Sequence, residues 1–371
     1  MAMWIVIIWT VIAFLWASVI YLANKLPKLF DFSFISNSEL KQFLFGLAVV
    51  LILGALLTFF INLASAAVCL IYFGLIWAVS DFVFYLLQKI FDLSFEYYYS
   101  GWIAFAVTFI SLSIGFFLDY NVWQTNYHLS TNKKVSPLKI ALIADAHLGT
   151  TFNGDGFGKH IAKIQEQNPD LLVIAGDFVD DETHKKDMVK ACEILKNFKS
   201  KYGVYLVFGN HDKGYNRFRA FSSKELIDEL KKNNVKVLFD EVISLNDDYY
   251  LIGRKDYSEI HEKIGTRLSM SELTENLDKN KYMIVLDHQP TDYKNQAEAE
   301  VDLVLSGHTH GGQLFPFNQV GKWIGANNWI YGLTHQNKTD FIVTSGISAW
   351  AIKFKTGTKS EYVIIDIKSE K

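Results

Sequence analysis

Five short runs of this chain combine cation-binding side chains with residues small enough to let them crowd. They are "DAH" at 145–147, "GDFVD" at 176–180, "GNHD" at 209–212, "DHQP" at 287–290 and "SGHTHGGQ" at 306–313. Five of the ten histidines fall in these runs. Imidazole suits zinc and iron, whereas carboxylate and carboxamide oxygens suit manganese and magnesium. A set of Asp, Asn and His without cysteine therefore describes a mixed nitrogen and oxygen site. Two divalent ions about 3.5–4 Å apart can clamp the attacking and leaving oxygens of a phosphoryl displacement. Such a pair needs several ligands and one carboxylate able to bridge. Each run alone is weak, because Asp-x-His recurs by chance and Gly-Asn-His-Asp can be a simple turn. Their force lies in occurring together.

All five follow short apolar segments. "KIALIA" precedes Asp145 and His147, and "DLLVIA" precedes Asp177 and Asp180. "VYLVF" precedes Asn210, His211 and Asp212, "YMIVL" precedes His288, and "DLVLS" precedes His308 and His310. These segments predict strands at 139–144, 171–175, 205–208, 282–286 and 301–305, with further strands at 235–239, 249–252, 341–344 and 362–367. Helices are predicted at 158–167, 185–198 and 224–232, the last opened by a capping box from Ser222 to Glu225. Helices alternate with strands early and strands dominate late. That order predicts an α/β sandwich of two mixed sheets flanked by helices. In α/β sheets, ligands gather beyond the carboxyl ends of the strands, where all five runs would lie.

The first 120 residues are different in kind. They hold ten charged residues, while the remaining 251 carry 32 Lys+Arg and 33 Asp+Glu. A membrane-spanning helix needs about 20 mainly apolar residues, and four stretches meet that length: 4–23, 43–62, 64–87 and 102–118. Trp4, Trp77, Trp102 and Trp123 fall near their ends, where indole favours the interface. No basic leader or small-residue cleavage site marks the first as a signal peptide. Asp81 is the one carboxylate well inside a span. It marks either a functional group within the membrane or an early end to span three that leaves it beside the headgroups. The reading is a four-helix transmembrane module at 1–120, a linker at 121–137 with the polar "STNKK" and Pro137, and a catalytic domain at 138–371.

Four spans put the N-terminus and the large domain on one side. The opposite loops carry Lys25, Lys28, Lys41 and Lys89, and the near flank carries Lys133, Lys134 and Lys139. The basic excess marks cytoplasmic loops, so the balance leans toward an extracytoplasmic catalytic domain. The formal net charge is −3, which argues against nucleic acid as partner. Cys69 and Cys192, in an apolar run and an expected helix, do not suggest a disulfide framework.

Taken together, DAH, GDFVD, GNHD, His288 and GHTHGGQ resemble the calcineurin-like metallophosphoesterases over residues 138 to 370. With spans ahead of them, they are similar to the membrane-associated branch that includes UDP-diacylglucosamine pyrophosphatase-like enzymes. The resemblance implies two divalent ions, drawn from manganese, iron and zinc. Asp145, His147 and His310 would hold one, Asn210, His288 and His308 the other, and Asp177 would bridge. It implies in-line attack by a metal-bound hydroxide. His211 would stabilise the transition state or protonate the leaving oxygen. Asp212 would orient His211, and Asp180 would support the loop bearing Asp177. Gly176, Gly209 and Gly311 would let backbone pass close to the site. Many relatives end with Trp, then Pro-Arg, then Pro-Glu. Here Trp350 and Glu361 are present, but Lys353 and Lys355 stand where an arginine is expected, leaving them as candidate substrate contacts. Lysine offers phosphate a point charge instead of a planar fork.

The function these readings point to is a membrane-anchored phosphohydrolase cleaving a phosphate ester or pyrophosphate, with the bilayer and a phosphorylated, lipid-linked substrate as partners. A metal-binding sensor or scaffold without catalysis is the alternative; its mark would be a missing ligand or a missing His211, and none is missing. A transporter has only Asp81 in its favour. The run "NNWIYGLTH" at 327–335 reads equally as a cover over substrate or lipid and as an ordinary aromatic loop.

Overall fold

The structure is a computed structural model that describes residues 2–29, 38–214 and 219–370; the side chains of residues 2–5 and of Ile7 lie outside that description. The Trp4 side chain and part of the first polar loop, residues 30–37, fall outside that description. The chain divides into two compact units, Met1–Phe116 with Ala351–Phe354, and Phe117–Trp350 with Lys355–Lys371.

The first unit is built on four helices: α1 (Ala2–Lys25), α2 (Glu39–Phe60), α3 (Leu63–Phe91) and α4 (Tyr99–Tyr120). All four are long and apolar enough to cross a membrane. Most of their large side chains face outward, among them Trp9, Leu51, Phe59, Val79 and Phe109. In water that exposure would be costly at about 25 cal/mol per Å²; in hydrocarbon it costs nothing. Asn62 ends the tight connection between α2 and α3, its side chain accepting from Ser65 N at 2.7 Å. Residues 351–354 belong to this unit. Ala351 O accepts from Asn62 Nδ2 at 2.8 Å, and Lys353 N donates to Ser65 Oγ at 2.9 Å.

The geometry around Asp81 decides between its two readings. Span three does not end early: α3 continues to Phe91. Yet Asp81 lies about 27 Å along α3 from Leu63 at 1.5 Å per residue, near the far limit of a hydrocarbon core about 30 Å thick. Its partners come from the ends of other helices: Lys25 Nζ at 2.5 Å, Tyr21 OH at 2.7 Å, Tyr98 OH at 2.8 Å and Ser100 Oγ at 2.6 Å. Asp81 is paired with Lys25 and ties the end of α1 and the start of α4 to the body of α3. Trp77 departs from expectation. It is fully buried and donates Nε1 to Tyr98 OH at 2.9 Å, so it packs within the bundle and not at a lipid interface. Trp102 and Trp123 are exposed.

The second unit is the α/β sandwich. Its strands are β1 (Val122–Thr131), β2 (Leu138–Ile143), β3 (Leu171–Ala175), β4 (Val204–Val207), β5 (Val235–Leu238), β6 (Glu241–Ser244), β7 (Tyr249–Gly253), β8 (Tyr282–Leu286), β9 (Leu303–Ser306), β10 (Gly332–Gln336), β11 (Thr339–Val343) and β12 (Ser360–Ser369). One sheet has the order β1-β12-β2-β3-β4-β5, the other β10-β11-β9-β8-β7-β6. Helices α5 (Gly154–Gln165), α6 (Lys185–Lys196) and α7 (Ser223–Lys232) cover the first sheet. The capping box at Ser222 and Glu225 is present.

Strand alternation splits the core into layers. In β3, Leu172 and Ile174 face the helices, packing with Phe157, Ile161, Met188 and Leu226. Leu171, Val173 and Ala175 face the second sheet, packing with Leu251, Ile284, Leu286 and Leu305. Strands buried on both faces read as unbroken apolar runs, which is why β3 and β8 are so legible. After the short α8 (Ser258–His261), α9 (Met270–Thr274) and α10 (Tyr293–Glu298) close the outer face of the second sheet through Met270, Leu273, Tyr293 and Ala297.

The expected linker at 121–137 is mostly strand. β1 runs parallel to β12 with Val122 opposite Ser360 and Thr131 opposite Ser369. It sits at the sheet edge and most of its side chains are half-buried or exposed. An edge strand of that kind needs no apolar alternation, and its partner is more than 230 residues away in the chain. β6 and β10 also carried no readable alternation and are likewise terminal strands.

Candidate metal centre

β2, β3 and β4 are parallel neighbours, as are β8 and β9. Their carboxyl ends all deliver candidate ligands to one place. Asp145 N donates to Gly176 O at 3.0 Å and His147 N to Asp177 O at 3.1 Å, joining the β2 and β3 loops. His308 N donates to both Asp145 oxygens at 3.0 Å, joining the two sheets.

Two groups drawn wholly from the expected ligands result, beside a third made of His147, Asp180 and His211. Asp145, His147 and His310 form one, and Asp177, His288 and His308 the other, each with its atoms within 4.8 Å of one another. Asn210 Oδ1 lies 3.1 Å from His308 Nδ1, alongside the second group. Asp177 Oδ2 stands between the groups, 3.6 Å from His147 Nε2 and 3.1 Å from His288 Nε2. All seven expected ligands thus converge.

The imidazoles are set up for cations. His288 Nδ1 is 2.8 Å from Ala175 O, and His310 Nδ1 is 3.1 Å from Ser348 O. Donation from Nδ1 leaves Nε2 free to bind a metal, the usual arrangement around such ligands. His147 Nδ1 lies 3.1 Å from Asp180 Oδ2, with Nε2 turned toward Asp177. Nε2 of His147 and Nε2 of His288 are buried without a hydrogen-bond partner. An unpaired buried polar atom costs about 1–3 kcal/mol. Two in one pocket, facing carboxylates, fit a pair of divalent ions. Burial lowers the pKa of His308 to about 4 and holds that of His310 well below the usual imidazole value, keeping both neutral as metal binding requires.

The backbone at the site is strained. Asp145, His147, Asp177, His308 and His310 all have positive φ, between 35° and 72°. Such conformations are uncommon outside glycine and cluster where function over-determines geometry. The glycines make room. A Cβ on Gly209 would lie 2.1 Å from Asp177 Oδ1, and one on Gly176 (φ 88°) would lie 2.5 Å from His288 Nδ1. Gly311 turns the chain after His310, against Ser345 and Thr358.

Three expected roles change. Asp212 does not orient His211. Its oxygens accept from Val179 N at 3.0 Å and Gly209 N at 2.8 Å, so it braces the two ligand loops through their backbones. Asp180 is the carboxylate that meets His211, Oδ1 to Nδ1 at 3.2 Å, while its other oxygen faces His147. Burial opposes charge on both, but the two imidazoles hold Asp180 well below the usual carboxylate range. The Asp180 and Asp177 carboxylates outweigh burial at His211 and raise its pKa to about 9. Lys355 is fully buried and donates Nζ to Ser345 O at 2.7 Å, so it cannot reach substrate. Burial lowers its pKa to about 8 against the pull of Asp119, Asp145 and Glu361. Lys353 belongs to the helical unit.

Sequence reading also missed residues. Arg219 Nη1 donates to His211 O at 3.2 Å and Asp212 O at 3.1 Å, fixing that loop, and no motif surrounds it. The Trp350 ring packs 5.3 Å from that of His211. A Cβ on Gly346 would lie 2.7 Å from the Asp145 Cβ. "TSG" after the strand at 341–344 carried the same strand-end signal as the other runs and could have been read.

Because Asp180 serves two histidines, Asp180→Asn is expected to weaken metal binding or turnover by about 10–100-fold. Titrating activity against added metal checks this; an unchanged metal requirement and rate would show Asp180 to be idle.

This fold and site define an α/β sandwich with a buried carboxylate–imidazole centre at its strand ends. Residues 138–312 match the calcineurin-like phosphoesterase family, and the chain belongs to that family. It is 33% identical over 193 residues to a metallophosphoesterase of Aquifex aeolicus, covering 51% of this chain and 70% of that one. It is 32% identical over 236 residues to one of Campylobacter jejuni, covering 63% and 60%. A bovine transmembrane protein with metallophosphoesterase domain is 28% identical over 235 residues, covering 61% and 52%. The chain thus spans about 60% of the Campylobacter relative and about half of the bovine one.

Proposed function

We propose that the protein is a membrane-anchored phosphohydrolase that uses two divalent ions to cleave a phosphate ester or pyrophosphate of a lipid-linked substrate. The observation that carries this reading is Asp177, a buried carboxylate standing between two separate groups of ligand atoms. Asp145, His147 and His310 would hold one ion, and Asn210, His288 and His308 the other. Bound there, the ions would supply Lewis acidity to phosphoryl oxygens and lower the pKa of an attacking water. Asp180 holds His147 and His211 in register. His211, kept protonated by Asp180 and only part-buried, can donate a proton to the leaving oxygen. Asp212 and Arg219 keep its loop in place. Manganese, iron and zinc all suit the donor set.

The four long apolar helices support an amphiphilic substrate, because they keep every copy of the site with a bilayer. The test is hydrolysis of an aryl phosphate by purified full-length protein. Turnover should vanish with a strong chelator and return with manganese, iron or zinc. Chelator-resistant hydrolysis, or none with any of these metals, rejects the reading. Stoichiometric metal without hydrolysis of any phosphate would instead favour a sensor.

The lysine balance of the loops supports an extracytoplasmic catalytic domain in a multi-pass cell-membrane protein. Protease added to intact cells should then cleave within 138–370. Protection until the membrane is permeabilised would reverse the orientation.

A further inference from the structure

The segment after the last metal-ligand candidate leaves the site and returns to it. At its start, Gln313 and Trp350 exchange hydrogen bonds, Nε2 to Trp350 O at 3.3 Å and Trp350 N to Oε1 at 3.4 Å. At its end, Asn328 N donates to Pro290 O at 2.7 Å, two residues beyond His288. Ile330 O accepts from Thr309 Oγ1 at 2.6 Å, between His308 and His310. The loop 313–328 is therefore held at its start to Trp350 and at its end to the loop that carries His288.

Its middle is apolar and exposed. Phe317, Trp323 and Ile324 are 54%, 72% and 51% exposed, and α11 (Val320–Trp323) has no buried residue. The only charge between 313 and 328 is Lys322, whose Nζ sits 3.8 Å over the Trp329 ring. Among the described residues beyond Trp123, the exposed large apolar side chains fall in this loop, at Trp350, and at Ile260, Ile264 and Leu268. The 260–268 segment interleaves its apolar residues with the exposed His261, Glu262 and Lys263, a mixture suited to water. The 313–328 loop has no such mixture. The run at 327–335, which reads equally as a cover and as an ordinary aromatic loop, is not the exposed apolar part, since Trp329 is half-buried and Ile330 buried.

We propose that the 313–328 loop is a lipid-contacting element, with Phe317, Trp323 and Ile324 entering the boundary between headgroups and acyl chains of a bilayer. Three features favour lipid over a second copy of the chain. Aromatic side chains beside a lysine, with no acidic residue, match interfacial anchors. The four apolar helices supply a bilayer to every molecule. Trp350, hydrogen-bonded to the start of the loop, is followed directly in the chain by residues 351–354 of the helical unit. Lys322 then stands where lipid phosphates lie. The proposal deepens the lipid-linked reading above, but lipid contact can be measured without turnover.

The experiment uses the full-length protein in nanodiscs of phosphatidylcholine and phosphatidylglycerol. Fluorophores are attached to Phe317→Cys, Trp323→Cys and, as control, Lys224→Cys on the exposed face of α7. Cys69 and Cys192 are buried, and unsubstituted protein measures their labelling. Lipids carrying a spin label high on the acyl chain should quench probes at 317 and 323 about twofold or more and leave 224 unchanged. Absence of quenching at 317 and 323, or equal quenching at 224, overturns the proposal. So does shielding that grows with protein per disc without spin-label quenching, which would mark contact between copies. Melting temperature verifies folding of each variant. Trp323→Asp with Ile324→Asp should abolish lipid contact while leaving hydrolysis of a soluble aryl phosphate unchanged. Quenching in a protein that hydrolyses nothing would reject the hydrolase reading alone.

Discussion

Asp177→Asn is expected to remove hydrolysis almost completely, by about 10³-fold or more, because each 1.36 kcal/mol is tenfold and a metal clamp supplies several kcal/mol. The substitution keeps shape and volume while deleting the charge that faces both ligand groups. Asp177 also accepts from His211 N at 2.8 Å through Oδ1, a bond that an asparagine carbonyl can keep. The loss should therefore appear in bound metal, falling from two ions per chain to one or fewer, with melting temperature little changed. Elemental analysis alongside turnover of an aryl phosphate separates the outcomes. Two ions retained with activity within threefold of the parent would mean that Asp177 does not bridge.

His211→Gln should lower kcat by about 10²–10⁴-fold, the usual contribution of a positioned proton donor. It should leave metal content intact. The cluster of His147, Asp180 and His211 reads as a carboxylate shared between two imidazole N–H groups. Removing one donor leaves the other in place. The leaving group provides the finer test. If His211 protonates the departing oxygen, the defect should be large for an alkyl phosphate and small for a nitrophenyl phosphate, whose leaving group needs no proton. An equal defect for both would reassign His211 to charge stabilisation, consistent with its raised pKa of about 9.

The site was unusually legible because each ligand run terminates a strand buried on both faces. "LLVIA" and "YMIVL" have no polar position to blur their limits, and β3 and β8 match the expected spans residue for residue. Glycines at the strand ends then marked where backbone turns sharply beside crowded side chains. Legibility failed where local pattern carries no information. β1 is an edge strand with few buried positions, so its sequence resembles a linker. Lys355 looked like a phosphate contact because it stands where family members carry an arginine, yet its partners are the carbonyls of Ser345 and Gly346. The exchange of roles between Asp180 and Asp212 was equally hidden. Both follow a ligand closely in the chain, and only the directions of their side chains distinguish a histidine partner from a brace on backbone amides.

By itself, the chain's order of residues determined which side chains could bind cations, that they end strands, and that four apolar helices precede them. Those properties are local: hydropathy over 20 residues, alternation over five, and a glycine beside an aspartate. Tertiary structure alone decided that Asp177 stands between two ligand groups, that His147 and His211 share Asp180, and that Lys355 is sealed inside. Each of those depends on side chains brought together by pairing of β2, β3 and β4 within one sheet, by stacking of the second sheet on it, or by burial of the turn around Lys355, none of which a local pattern encodes.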